Sequence, residues 1–365
     1  MPRLPVRKEV AAAAPYGAPH PPVAVRLNVN ENPFPPPPEV IESIVQRVRA
    51  AAGEVNRYPD RDFSELRSAL ADYLIRESGV VDITPDMIWA ANGSNEVMVH
   101  VLQAFGGPGR SVAAFEPTYS MYQEYARDTF TDWKPGKLEA DFSLDLERGI
   151  GHIERVGPTV VLLASPNNPT GTALPIAAID AIARHVEGRA VVVVDEAYAE
   201  FRRAGTPSAL QLLDRYPHLA VSRTMSKAFA AAGVRLGYLA GDPELIGYLR
   251  TVRLPYHLSA ITQATALAAL DHAGLMLAGV AELRERRDRL AAALAAMGFE
   301  VAESDANFVL FGRLADRHDV WEKLLALGVI IREVGPEGWL RVSVGTESET
   351  LAFLRALAEI RKELE

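Results

Sequence analysis

Lys227 stands in the segment Arg223-Thr224-Met225-Ser226-Lys227-Ala228-Phe229, and Arg235 follows eight positions later between Gly233 and Gly237. An amine, two hydroxyls and a guanidinium are thereby gathered on one short stretch of chain. Flanking glycines let backbone approach a ligand closely, and a guanidinium is a planar donor fork that matches a phosphate. Asp195 lies 32 residues before Lys227, at the end of the apolar run Ala190–Val194. A carboxylate at the carboxyl end of a buried parallel strand lies where open α/β sheets bind ligands. An amine able to form a Schiff base, a carboxylate able to keep a pyridine nitrogen protonated, and donors for a phosphate are what pyridoxal phosphate (PLP) chemistry asks of a protein. The residues predict a PLP enzyme.

Each piece also has a plainer use. Asp195 can cap the next element, and Lys227 can be a surface lysine on a polar turn. Gly93-Ser94-Asn95-Glu96 lies between a strand and a helix, where it can serve only as an N-cap. Its other use is phosphate binding by backbone N–H groups at the helix start. Ser165-Pro166-Asn167-Asn168-Pro169-Thr170-Gly171 is made of turn formers. Yet Asn168 follows a buried strand, near Asp195 on the neighbouring one, where it can donate to a ring oxygen. The Asp195 loop also carries Glu196 and Tyr198.

Positioning these groups requires an α/β scaffold, and the sequence supplies one. The chain has 365 residues, enough for two cores. Prolines at 15, 19, 21, 22, 33 and 35–38 exclude continuous helix from residues 1–38, but the alternation from Val23 to Asn30 predicts an ordered arm. Strands are expected at 87–91, 111–115, 159–164, 190–194, 219–222 and 238–240. Helices are expected at 63–78, 97–105, from 117 and at 176–186. Residues 261–297 suggest one or two long helices. Strands at 309–311, 329–332 and 340–344, with helices at 320–327 and 348–364, predict a smaller α+β unit. The expected division is an arm at 1–38, a large, mostly parallel-sheet domain at 39–255, and an interdomain helix with a small C-terminal domain at 256–365.

Composition narrows the function further. A formal charge of −9 with scattered basic residues argues against nucleic-acid binding. With no cysteine and dispersed histidines, no metal site is expected. No run approaches the roughly 18 apolar residues of a membrane span, and no signal peptide is visible, so a cytoplasmic protein is expected.

Together the segments resemble fold-type I PLP aminotransferases, and within them the histidinol-phosphate branch. The resemblance rests on Tyr16, LNVNENPFP at 27–35, NRYPD at 56–60, PTYSMY at 117–122, SPNNPTG at 165–171, DEAY at 195–198 and residues 223–238. It continues through LPYHLS at 254–259, ANF at 306–308 and LRVSVGT at 340–346. It implies that Lys227 is the Schiff-base lysine and Asp195 the partner of the pyridine nitrogen. Asn168 and Tyr198 would donate to the 3-oxygen, and Tyr119 would stack on the ring. Ser94, Asn95, Thr224, Ser226 and Arg235 would cradle the phosphate. Tyr58 would reach the phosphate site of a second copy, making a homodimer with shared sites. Arg341 and Arg332 would hold the substrate anion, with Tyr16 and Asn30 closing over it.

The resemblance further implies transamination of L-histidinol phosphate with 2-oxoglutarate in histidine biosynthesis. AFAAAG stands where AFGLAG is usual, Pro36 where glycine is, His257 where asparagine is, and Arg253 where lysine is commoner. These departures leave an aromatic-amino-acid aminotransferase or a threonine-phosphate decarboxylase of the same fold as alternatives. A non-catalytic PLP-fold regulator would have no need of Lys227, and a dinucleotide oxidoreductase would need a G-x-G-x-x-G that is missing after the first strand.

Overall fold

A computed structural model describes residues 4–364. Twelve strands are numbered in chain order: β1 Val25–Arg26, β2 Ile88–Ala91, β3 Ser111–Glu116, β4 Asp132–Lys137, β5 Val160–Ala164 and β6 Val191–Asp195. There follow β7 Leu219–Thr224, β8 Gly237–Gly241, β9 Glu300–Val301, β10 Phe308–Gly312, β11 Val329–Ile330 and β12 Trp339–Ser343. The large sheet runs β2-β8-β7-β6-β5-β3-β4. β8 is antiparallel to both neighbours, β2 and β7, so it alone runs against the other six. β5, β6 and β7 are buried along nearly their whole length, as the unbroken Val and Leu runs require of strands covered on both faces.

β4 was not anticipated. Its sequence, DWKPGK, contains Pro135 and reads as a turn. It forms because it lies at the sheet edge, where proline removes no central ladder bond. The stretch 261–297 also departs from expectation. It holds three helices, Ala260–Asp271, Ala273–Leu277 and Val280–Ala296, interrupted at His272 and around Gly279. Helix Ser64–Ser78 ends where expected, at Gly79 with φ of 74°.

A second sheet, β12-β10-β9, has its own core built from Leu290, Leu294, Val309, Phe311, Leu340 and Phe353. A smaller cluster, including Tyr198, Phe201, Ala228, Phe308 and Val344, packs between the two sheets. Among the described residues the arm packs on the body. β1 pairs in parallel with β11, and Leu27 packs into the second core. No single helix among the described residues is long and apolar enough to cross a membrane.

Candidate active site

The parallel strands of the large sheet converge on one edge. Asp195 is the last residue of β6 and Thr224 the last of β7. Because β8 is antiparallel, its first residue, Gly237, pairs with Thr224 and with Ala91 at the end of β2. That reversal brings Arg235 and Gly93-Ser94 to the same edge as Asp195. Asn168 leaves β5 and Tyr119 leaves β3 at this edge too.

A cavity of about 260 Å³ opens here, lined by fourteen of the fifteen residues singled out in the sequence. These are Lys227, Asp195, Tyr198, Ser94, Asn95, Tyr119, Asn168, Thr224, Ser226, Arg235, Tyr16, Asn30, Arg332 and Arg341. Tyr58 lies elsewhere. It is 79% exposed and stacks on Tyr256 with ring centroids 4.4 Å apart.

Asp195 is buried, and burial raises its carboxyl group to about 6. Two donors pull the other way: Tyr122 Oη donates to Oδ2 at 2.9 Å, and the Ala197 backbone N–H to Oδ1 at 3.2 Å. Lys227 Nζ donates to the Val29 carbonyl at 2.9 Å. Burial lowers this amine to about 8, helped by the charges of Arg341 and Arg235 and opposed by Glu31. A lysine so placed reaches its neutral, nucleophilic form near physiological pH.

The phosphate-type end of the cavity is shaped by glycine. A Cβ on Gly93 would stand 2.5 Å from Arg235 Nη2, and one on Gly237 would stand 2.0 Å from the Ser94 backbone nitrogen. Only glycine lets the guanidinium and the start of helix Ser94–Phe105 approach so closely. The first N–H groups of that helix have no intrahelical partner and face an anion naturally. Arg235 Nη1 also donates to Ser226 Oγ at 3.4 Å, and Thr224 Oγ1 to Ser226 Oγ at 3.1 Å.

At the other end, Arg341 on β12 donates from Nη1 to Asn168 Oδ1 at 2.5 Å and from Nη2 to the Asn28 carbonyl at 2.8 Å. Its Nε is buried without a partner. Burial first, and then Arg332 on the adjacent segment, lower Arg341 to about 10 against the pull of Tyr198. Asn30 Nδ2 donates to Tyr198 Oη at 3.0 Å and Asn168 Nδ2 to the same oxygen at 3.4 Å, while Tyr16 and Ser120 hydroxyls meet at 3.1 Å. The Lys227 amine thus shares one cavity with Arg235, Arg332 and Arg341, and the charges of Arg341 and Arg235 both act on it.

Over residues 22–357 the chain matches the family model described as aminotransferase class I and II. The chain belongs to the class I and II aminotransferases. It is 56% identical to the histidinol-phosphate aminotransferase of Thermobifida fusca, over 97% of this chain and 95% of that one. It is 52% identical to the histidinol-phosphate aminotransferase of Bifidobacterium longum, over 99% and 98%. The crystal structure of histidinol-phosphate aminotransferase from Sinorhizobium meliloti in complex with pyridoxal-5'-phosphate superposes with a TM-score of 0.84. That comparison has 25% identity and covers 94% of this chain and 92% of that one.

This aminotransferase also carries groups that sequence reasoning did not single out. Tyr122, the last residue of PTYSMY, donates from its hydroxyl to Asp195. Arg223 is buried between Glu196 and Glu77, with both ion pairs at 2.8 Å, and ties the loop after Asp195 to the end of β7. Nothing local in the sequence announces that network.

Proposed function

We propose that this chain uses PLP to transfer an amino group between L-histidinol phosphate and 2-oxoglutarate, giving 3-(imidazol-4-yl)-2-oxopropyl phosphate and glutamate. The observation that carries the reading is the placement of Lys227 between Arg235 and the Arg341–Arg332 pair in one cavity. The residues fit the cofactor. Gly93 and Gly237 leave room that any Cβ would fill, Arg235 and the helix start offer phosphate donors, and a buried carboxylate stands on the same sheet edge.

Bound there, PLP supplies a carbonyl carbon that accepts amino groups and a pyridine ring that withdraws electrons from the substrate carbon. Lys227 Nζ would hold the cofactor covalently and, when free, would be the base that takes a proton from the substrate carbon. Asp195 would keep a proton on the ring nitrogen. Tyr119 would cover the ring face, while Asn168 and Tyr198 would orient the 3-oxygen. Ser94, Asn95, Thr224, Ser226 and Arg235 would hold the phosphate. Arg341 and Arg332 take the substrate anion, and the free Nε of Arg341 is a donor awaiting one. Phosphate and carboxylate are both oxyanions that a guanidinium fork can bind, so one site can serve both half-reactions. Tyr16 and Asn30, carried by the arm, close the site from above.

A homodimer with shared sites belongs to the proposal. Tyr58 and Tyr256 stack on each other at the surface, with Tyr58 79% exposed, and a second copy would cover the pair. The division into an arm (1–38), a large domain (39–255) and a C-terminal part (256–365) is likewise proposed; two separate cores support two packed units, although Leu258, Leu267, Leu270 and Met276 pack with the first of them. The cytoplasmic setting rests on the sequence reading alone.

The test is the visible spectrum of the purified holoenzyme followed on adding histidinol phosphate. Loss of the cofactor's imine band with formation of the keto phosphate is expected. Faster turnover of phenylalanine, or CO₂ release from threonine phosphate, would point instead to one of the related activities.

A further inference from the structure

We propose that Tyr122 is the positioning residue of the site: its hydroxyl fixes the Asp195 carboxylate while its ring fixes Tyr119. The inference rests on the role proposed above for Asp195. Tyr122 is fully buried on helix Met121–Asp128. Its hydroxyl donates to Asp195 Oδ2 at 2.9 Å, and the Ala197 N–H occupies Oδ1, so neither carboxylate oxygen is free to turn away. The same side chain meets the Tyr119 ring edge-on, with centroids 5.6 Å apart and planes at 84°. One residue therefore locks both the group that would meet the ring nitrogen and the ring that would cover the pyridine face.

The other titratable groups near Asp195 do not replace it. From helix Met121–Asp128 comes Tyr125, from the turn before it Tyr119, and from the Asp195 loop Glu196 and Tyr198. Glu196 turns away, into Arg223, Arg202 and Ser208. Tyr198 is engaged by Asn30. Among the described residues Tyr122 is the one side chain that donates to Asp195. A donor to a carboxylate favours its ionised form, whereas burial opposes it. Without the hydroxyl, Asp195 becomes more basic and competes with the ring nitrogen for the proton.

Tyr122→Phe keeps the ring and removes only the donor. In the holoenzyme, the acid limb of the kcat/KM profile should rise by about one pH unit, a loss of roughly tenfold on the acid side with little change on the alkaline side. The absorbance of the bound cofactor should titrate with the same displacement. In an Asp195→Asn background the Tyr122→Phe change should move neither readout. Replacing Tyr122 by 3-fluorotyrosine, a stronger donor of nearly the same shape, should move the limb the opposite way, and it serves if the phenylalanine chain does not fold. Profiles and spectra left in place by both replacements, with Asp195→Asn clearly impaired, would overturn the role of Tyr122 and leave that of Asp195 standing. Normal turnover in Asp195→Asn would overturn both.

Discussion

Lys227 is tied to the N-terminal arm through Val29, whose carbonyl accepts from Nζ at 2.9 Å. The arm is itself held by the pairing of β1 with β11 and by Ser343, which donates from Oγ to Asn30 Oδ1 at 2.9 Å. The amine proposed to do the chemistry thus rests against the segment proposed to close over the substrate.

A pH dependence follows. Burial has lowered the Lys227 amine from 10.5 to about 8, so the neutral form that attacks a carbonyl accumulates as pH rises through about 8. Uptake of PLP by cofactor-free protein, followed by stopped-flow absorbance, should accelerate through that window. Arg341→Met removes a charge that depresses the amine, so the midpoint should move upward. Lys227→Ala should bind PLP only non-covalently and lose transamination by several orders of magnitude, at least on the order of 10³-fold. Borohydride reduction that attaches the cofactor to a different lysine would remove Lys227 from its role.

Asp195 makes a prediction about stability in the cofactor-free protein. Its folded value of about 6 lies above the ordinary 3.8, so between these pH values the folded state binds more protons than the unfolded one. Stability contributed by this group is therefore present below 3.8 and lost as pH rises through about 6. Asp195→Asn removes that dependence. Thermal melts should show the variant gaining on wild type across the window, by on the order of 2 kcal/mol, with no further change above it. In the holoenzyme the same substitution should lower turnover sharply while PLP remains bound. Parallel melting curves from pH 4 to 7 would contradict the first expectation, and unchanged turnover the second.

The legibility of this site followed the range of the interactions. Asp195, Lys227 and Asn168 were readable because a buried strand and the turn beyond it are local patterns, and the strand ends must share an edge once the strands are parallel. β8 was expected as a strand, but nothing in Gly237–Gly241 tells its direction. That direction brings Arg235 beside Ser94. Tyr122 and the Arg223–Glu196–Glu77 network escaped because their meaning lies in partners 73, 27 and 146 residues away. Edge strand β4 escaped because Pro135 speaks against a strand except at an edge, and edges are set by the whole sheet.

The glycine-shaped cradle is testable by adding a single carbon. Arg235→Ala removes a charge-assisted donor, a loss of about 1.5–3 kcal/mol. Measured in a Lys227→Ala background, where no covalent tie masks the affinity, the PLP Kd should rise roughly tenfold to a hundredfold. Gly93→Ala leaves every charge in place, but its Cβ would lie 2.5 Å from Arg235 Nη2 at a φ of +84°. It should weaken PLP binding in the same direction by pushing the guanidinium aside. If equilibrium titration gives both variants the parental Kd, Arg235 does not hold the phosphate.

The last expectation concerns Tyr58, the one predicted site residue outside the cavity. Proline at 59 biases it toward an extended backbone, and its ring stands 79% exposed against Tyr256. In the proposed dimer it completes the phosphate site of the second copy, so each site draws Lys227 from one chain and Tyr58 from the other. Tyr58→Phe and Lys227→Ala chains should each be impaired as homodimers. In a mixed dimer, the site with an intact Lys227 receives Tyr58 from the Lys227→Ala chain and has every group it needs. Mixing the two variants under subunit exchange should therefore restore activity, up to about half the wild-type rate per dimer, because one of two independent sites is whole. Recovery absent from verified mixed dimers, with Tyr58→Phe impaired on its own, would mean that Tyr58 acts within its own chain or only in folding.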